Sequence, residues 1–161
     1  MKTLILVRHG KSSWEQDLPD HERPLKPRGF KDADLVIKAF QLQNNYKPSV
    51  FSSSAVRALT TAKLFKEALE IGENQFSVKK ELYTFDEDDL LNFVKNADDA
   101  IQNLMLFGHN PAMTNLVNQL GDEVIDNLPT TGLVVLQFEI DSWKDINKGK
   151  TLVKLFPKTF R

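Results

Sequence analysis

Three places in the sequence set a cation or an imidazole beside a turn: Arg8-His9-Gly10, Arg57 behind Ser52-Ser53-Ser54, and Gly108-His109. Two guanidiniums and two imidazoles gathered at one point suit an oxyanion of two or three negative charges, such as a phosphoryl group. An imidazole inside such a clamp can itself attack phosphorus and carry the group as phosphohistidine. Neighbouring cations help keep that imidazole neutral, and so nucleophilic, at pH 7. They would also stabilise charge on the equatorial oxygens during transfer. Neither a P-loop nor a carboxylate pair for magnesium accompanies them, which argues against nucleotide-driven chemistry.

These side chains meet only if the fold delivers them to one edge of a sheet. Leu4-Ile5-Leu6-Val7 and Leu104-Met105-Leu106-Phe107 read as strands buried on both faces, the kind found inside parallel sheets. Both stop abruptly, at Arg8-His9-Gly10 and at Gly108-His109-Asn110-Pro111. Ligands of open α/β sheets bind at such carboxyl ends of strands. Val50-Phe51 is a shorter strand core, with Arg57 in the first turn of the helix that follows. An arginine there becomes favourable when an anion is bound at the same place; the alternative is a solvated surface side chain.

Between these points, Lys11 to Arg28 reads as a stiff loop with three prolines, covering the end of the first strand. Phe30, Ala33, Val36, Ile37 and Phe40 recur at helical spacing, with the helix ending near Asn44-Asn45. The second helix carries Ala55, Ala58, Leu59, Ala62, Phe65 and Leu69, with a serine as N-cap and Gly72 as its stop. Phe76 to Lys79 reads as an edge strand, and Asp86-Glu87-Asp88-Asp89 as the acidic opening of a third helix. Pro111 suits the first position of a fourth helix. Leu133 to Ile140 and Leu152 to Phe156 complete the strands, the latter closed by Pro157. The order implies an α/β fold: a single three-layer domain over residues 1–161, mostly parallel sheet, with helices on both faces.

Composition bounds the rest. The chain has 161 residues, 41% hydrophobic and 27% charged, as in ordinary globular proteins. A net charge of −1 gives no reason to expect nucleic acid or an anionic membrane as partner. The absence of cysteine removes disulfides, zinc-thiolate sites and thiol nucleophiles together. No stretch approaches membrane-spanning length, and the first apolar run is too short for a signal peptide, so a cytoplasmic protein is expected.

Arg8-His9-Gly10, Ser52-Ser53-Ser54-Ala55-Val56-Arg57-Ala58 with Thr61-Ala62 behind it, and Gly108-His109 resemble the histidine phosphatase (phosphoglycerate-mutase-like) superfamily in order and spacing. Lys11-Ser12-Ser13-Trp14 and Arg23-Pro24-Leu25 most resemble its SixA-type phosphohistidine phosphatases. The resemblance implies His9 as nucleophile, Arg8, Arg57 and His109 on the phosphoryl group, and no cofactor or metal. It adds Ser12 and Arg23 to the substrate-binding set and makes Glu81 the candidate general acid. Glu15 stands where mutases usually have asparagine, and the chain is too short for their insertions, which speaks against mutase activity. The expected substrate is phosphohistidine in a protein. A small phosphoester metabolite and a non-catalytic phosphate-binding module are the alternatives.

Overall fold

The computed structural model describes residues 1–161. Leu4, Ile5, Leu6 and Val7 are wholly buried because their strand, β1 (Lys2–Arg8), lies inside a six-stranded sheet. The other strands are β2 (Ser49–Ser52), β3 (Phe76–Val78), β4 (Asn103–Gly108), β5 (Leu133–Phe138) and β6 (Lys150–Leu155), in the spatial order β3-β2-β4-β1-β5-β6. Four of them, β3, β2, β4 and β1, run parallel, whereas β5 is antiparallel to both β1 and β6.

Alternation along β1 and β4 sends neighbouring side chains to opposite faces. Leu4, Leu6, Leu104 and Leu106 pack with α3 (Glu87–Lys95) and α4 (Ala112–Leu120) on one side. Ile5, Val7, Met105 and Phe107 pack with α1 (Pro27–Gln41) and α2 (Val56–Ala68) on the other. Truncating any one of these strand residues to Ala should cost about 2–5 kcal/mol, the range for a fully buried aliphatic group. This is the expected α/β architecture, a mostly parallel sheet between two helical layers. A short helix, α5 (Pro157–Phe160), closes the chain, and Arg161 donates from Nε and Nη2 to the buried Asp32 of α1 at 3.2 and 3.0 Å. No helix is long and apolar enough to cross a membrane.

Several local expectations are corrected. α1 begins at Pro27, whose fixed φ suits a first helical residue, so the preceding loop ends at Lys26 rather than Arg28. Its buried stripe starts at Gly29, leaving Phe30 exposed, and it ends at Gln41, ahead of Asn44. No serine caps α2: Ala55 takes that place, and the Ser53 hydroxyl accepts the Ala55 N–H at 3.2 Å. Glu70, with φ 55°, turns the chain after α2, so Gly72 is not its stop. Pro157 opens a turn of helix rather than merely ending a strand. The acidic run does open α3, with the Asp86 carboxylate accepting the Asp88 N–H at 2.8 Å.

Candidate active site

Strand register assembles the site. In the parallel β1–β4 pair, Arg8 lies opposite Gly108, so the next residues, His9 and His109, emerge side by side. Their ring centroids are 5.2 Å apart. β2 runs along the other edge of β4, and Ser53 just past its end donates its N–H to the Phe107 carbonyl at 2.9 Å. The chain then turns into α2, whose second residue, Arg57, is brought over both histidines. Arg57 is 2% exposed, which rules out the solvated alternative.

His9 is 8% exposed and its Nδ1 lies 2.7 Å from the carbonyl oxygen of Gly10. A carbonyl only accepts, so Nδ1 carries the proton and Nε2 keeps its lone pair. That lone pair accepts a hydrogen bond from Nε of Arg57 at 3.4 Å. Burial holds the His9 pKa down at about 3, with the charges of Arg57, Arg8 and Arg23 adding to the effect, against the opposing hydrogen bond to Gly10. The ring is therefore neutral across the physiological range.

His109 is 1% exposed, and its pKa is likewise lowered to about 3, by burial first and then by His9 and Arg57. Its Nε2 lies 2.8 Å from Ser53 Oγ, and its Nδ1 lies 3.4 Å from Nη2 of Arg57. A guanidinium only donates, so Nδ1 accepts from Nη2 and the ring proton sits on Nε2, donated to the Ser53 hydroxyl, which also accepts the Ala55 N–H. Arg57 thereby contacts both imidazoles, and an anion placed over them would meet its guanidinium.

Arg8 donates from Nη1 to the Leu128 carbonyl at 3.0 Å, while its buried Nε has no partner. Around Gly10, the Thr61 hydroxyl accepts the Gly10 N–H at 2.9 Å and donates to the Arg57 carbonyl at 2.8 Å, tying the β1 turn to α2. A side chain on Gly10 would meet Leu25, Thr131 and Thr61 at 3.1–3.3 Å, so glycine lets the three close in. Thr131 holds φ 61° to donate its N–H to the carbonyls of both Arg8 and His9, at 3.1 and 3.0 Å.

The remaining expected residues fall differently. Arg23 is buried, and each of its three nitrogens has a partner: Ser13 O from Nε, Asp20 Oδ1 from Nη1 and Ser12 Oγ from Nη2. Its guanidinium also stacks 3.2 Å from the ring centre of Trp14. Ser12 and Arg23 thus brace each other in the 9–26 loop. Glu81 sits in a short 3-10 turn (Lys80–Leu82), exposed, and shares no hydrogen bond with Arg8, His9, Arg57 or His109. It lines a cleft of about 530 Å³ beside Tyr83 and Asp89. Another cleft, of about 600 Å³ near Phe40, Tyr46 and Ile71, lies by the amino ends of β2 and β3, away from the histidines.

Sequence reasoning missed Asp20 and Tyr83. Asp20 Oδ2 accepts from Arg57 Nη2 at 2.9 Å and from the Tyr83 hydroxyl at 2.6 Å, and its carbonyl accepts from Arg57 Nη1 at 2.6 Å. Tyr83 and Phe85 set their rings edge-on to His109, at 5.3 and 5.4 Å. The one sequence signal was the i,i+3 spacing of Asp20 to Arg23, which an ordinary surface pair would share. Ser53, four residues before Arg57, lay inside a quoted motif without a role.

Residues 4–86, with Arg8, His9 and Arg57 among them, match the model of the histidine phosphatase superfamily (branch 1). The chain belongs to that superfamily. It is 26% identical to an Agrobacterium tumefaciens protein assigned as phosphohistidine phosphatase SixA, with a TM-score of 0.77 over 96% of this chain and 97% of that one. The protein histidine phosphatase SixA complexed with tungstate shares the fold at a TM-score of 0.80, 18% identity and 99% coverage of each chain. An uncharacterised protein of Mycobacterium tuberculosis is 25% identical over 153 residues, 89% of this chain and 93% of the relative. The chain is thus a phosphatase of SixA type.

Proposed function

We propose that the protein removes a phosphoryl group from phosphohistidine borne by another protein, through a covalent intermediate on His9. The observation that carries the reading is the state of His9: buried, proton-bearing on Nδ1 through Gly10, neutral at a pKa of about 3, and presenting its Nε2 lone pair to the Arg57 Nε–H. Binding alone needs cations but no such nucleophile, which argues against a phosphate-holding module. In this reading the phosphoryl group displaces the Arg57 Nε–H from the Nε2 lone pair, which attacks phosphorus, with Arg57, the unpartnered Nε of Arg8 and His109 around the equatorial oxygens. Water then cleaves the P–N bond and returns His9. Ser12 and Arg23 serve by holding the loop over the site.

Likeness to the Agrobacterium SixA over nearly the whole chain supports phosphohistidine as the substrate. The exposed Trp14 and Phe85 beside the site support one carried on a folded partner, since they offer apolar surface for it to rest on. The cytoplasm is the compartment we assign.

Turnover across phosphohistidine peptides, phosphoserine peptides and sugar phosphates tests the substrate. Alkaline-quenched enzyme should retain labelled phosphate on His9 and acid-quenched enzyme should lose it, because P–N bonds hydrolyse in acid. His9→Asn should abolish both label and turnover. Efficient cleavage of sugar phosphates with phosphohistidine ignored would establish the small-metabolite alternative.

A further inference from the structure

Both terminal nitrogens of Arg57 donate to one residue, Asp20. Nη1 donates to the Asp20 carbonyl at 2.6 Å and Nη2 to its carboxylate at 2.9 Å. That carboxylate also accepts from the Tyr83 hydroxyl at 2.6 Å and from Arg23 Nη1 at 3.2 Å. An acidic side chain therefore occupies the guanidinium that the phosphoryl group must use. It does so from the outside: the Asp20 side chain is 42% exposed, whereas that of Arg57 is 3% exposed and His9 lies beneath. Arg57 spans the two, with Nε toward His9 and its far end toward Asp20.

In-line displacement puts the leaving group opposite the attacking nitrogen. With His9 at the floor, the leaving atom points to the mouth, where Asp20 is. Resting on the phosphoryl-transfer reading above, we propose that Asp20 is the catalytic acid and base of this phosphatase, as well as the occupant that the substrate displaces from Arg57. When a phosphoryl dianion takes Arg57, the Asp20 carboxylate loses its main counter-charge and gains a negative neighbour. Both changes favour its uptake of a proton from solvent.

The steps balance. His9 Nε2 forms the new P–N bond as the bond from phosphorus to the leaving atom breaks. The leaving atom keeps that electron pair and takes the proton from Asp20. In the second half, water bonds to phosphorus and gives a proton to the Asp20 carboxylate as the P–N bond to His9 breaks. Product phosphate then yields Arg57 back to Asp20.

Hydrogen bonding supports the free-state half of the cycle. Burial alone would raise the Asp20 pKa, but the bonds from Tyr83 and Arg57 and the Arg57 charge outweigh it and hold the group at about 2, ionised and waiting. Glu81, exposed and outside the hydrogen-bond network, has no comparable hold on the site.

The test is Asp20→Asn against the wild type, with p-nitrophenyl phosphate, phenyl phosphate, a phosphohistidine peptide and inorganic phosphate as inhibitor. Loss of the general acid should lower kcat/KM for phenyl phosphate by about 100-fold or more while sparing kcat/KM for the activated nitrophenyl ester, because kcat/KM ends at transfer to His9 and leaves out the shared hydrolysis step. Removal of the competing charge should tighten inhibition by inorganic phosphate about two- to fivefold, the worth of a partly exposed ion pair. Tighter binding with slower turnover of the poorer leaving group is a split that mere damage to the loop would not give. An equal fall in kcat/KM on both esters, or inhibition no tighter than in the wild type, would overturn the proposal alone. A wild type inert to all three substrates would overturn the phosphoryl-transfer reading, and the proposal with it.

Discussion

Arg57 holds its Nε 3.4 Å from Nε2 of His9, although 48 positions separate them in the chain. One guanidinium thereby donates to His9, to His109 and to the carboxylate of Asp20 at once. The consequences can be measured separately.

Acid should destabilise this protein earlier than carboxylates alone would. His9 and His109 have pKa values near 3 in the fold against an ordinary 6.5. Between those values the unfolded chain binds more protons than the folded one, so stability rises with pH across that window and levels off above it. Asp20, lowered from 3.8 to about 2, contributes in the same direction but only below about pH 4. The urea midpoint should therefore be lower at pH 5 than at pH 7, and His9→Asn should narrow the gap. A midpoint independent of pH over this interval would show that the imidazoles titrate freely.

Catalysis should show no limb from the nucleophile near pH 6.5. A neutral His9 at a pKa of about 3 predicts that kcat/KM for p-nitrophenyl phosphate, whose leaving group needs no acid, stays level from pH 7 to 5 once the substrate's own ionisation is taken out. A group titrating at 6.5 and absent in His9→Asn phosphate-binding profiles would place a proton on His9 instead.

Arg57→Ala should weaken competitive inhibition by phosphate, vanadate or tungstate by about 2–4 kcal/mol, the cost of losing a buried charge-assisted contact. Isothermal titration with vanadate measures it directly. Unchanged affinity would mean that Arg8 and the two imidazoles hold the anion without it.

Ser53→Ala should leave the fold intact and lower kcat by up to about tenfold, with KM little changed. The 2.8 Å bond to His109 Nε2 fixes which nitrogen carries the proton, and one such bond is worth about 0.5–1.5 kcal/mol. NMR of the imidazole nitrogens should show a mixed tautomer in the variant and a single one in the wild type.

Glu81→Gln should change turnover of phosphohistidine less than twofold, because the side chain is exposed and bonds to none of the four central residues. Chelators should be equally without effect, since no cluster of three or more His, Cys, Asp or Glu is present to hold an ion. Loss of activity on adding EDTA, restored by a divalent cation, would contradict the proposed site.

The sequence by itself determined the sheet and the four side chains at its edge. Apolar runs such as Leu4–Val7 and Leu104–Phe107 have one stable place, between two helical layers, and each run ends beside a histidine of the proposed site. Parallel register then leaves little choice, because Arg8 opposite Gly108 forces His9 beside His109. Tertiary structure alone decided what surrounds them. Asp20, Tyr83 and Ser53 belong to loops or turns without periodicity, and their types occur on any polar surface. Their meaning comes from distances such as 2.9 Å from Asp20 to Arg57, across 37 positions that no local spacing encodes. Glu81 shows the converse: a carboxylate chosen by its place in the chain was turned outward by a 3-10 turn that buries Leu82 instead. Burying an apolar side chain is worth a few kcal/mol and fixes which way a turn faces, whereas an unpaired carboxylate left in water costs nothing.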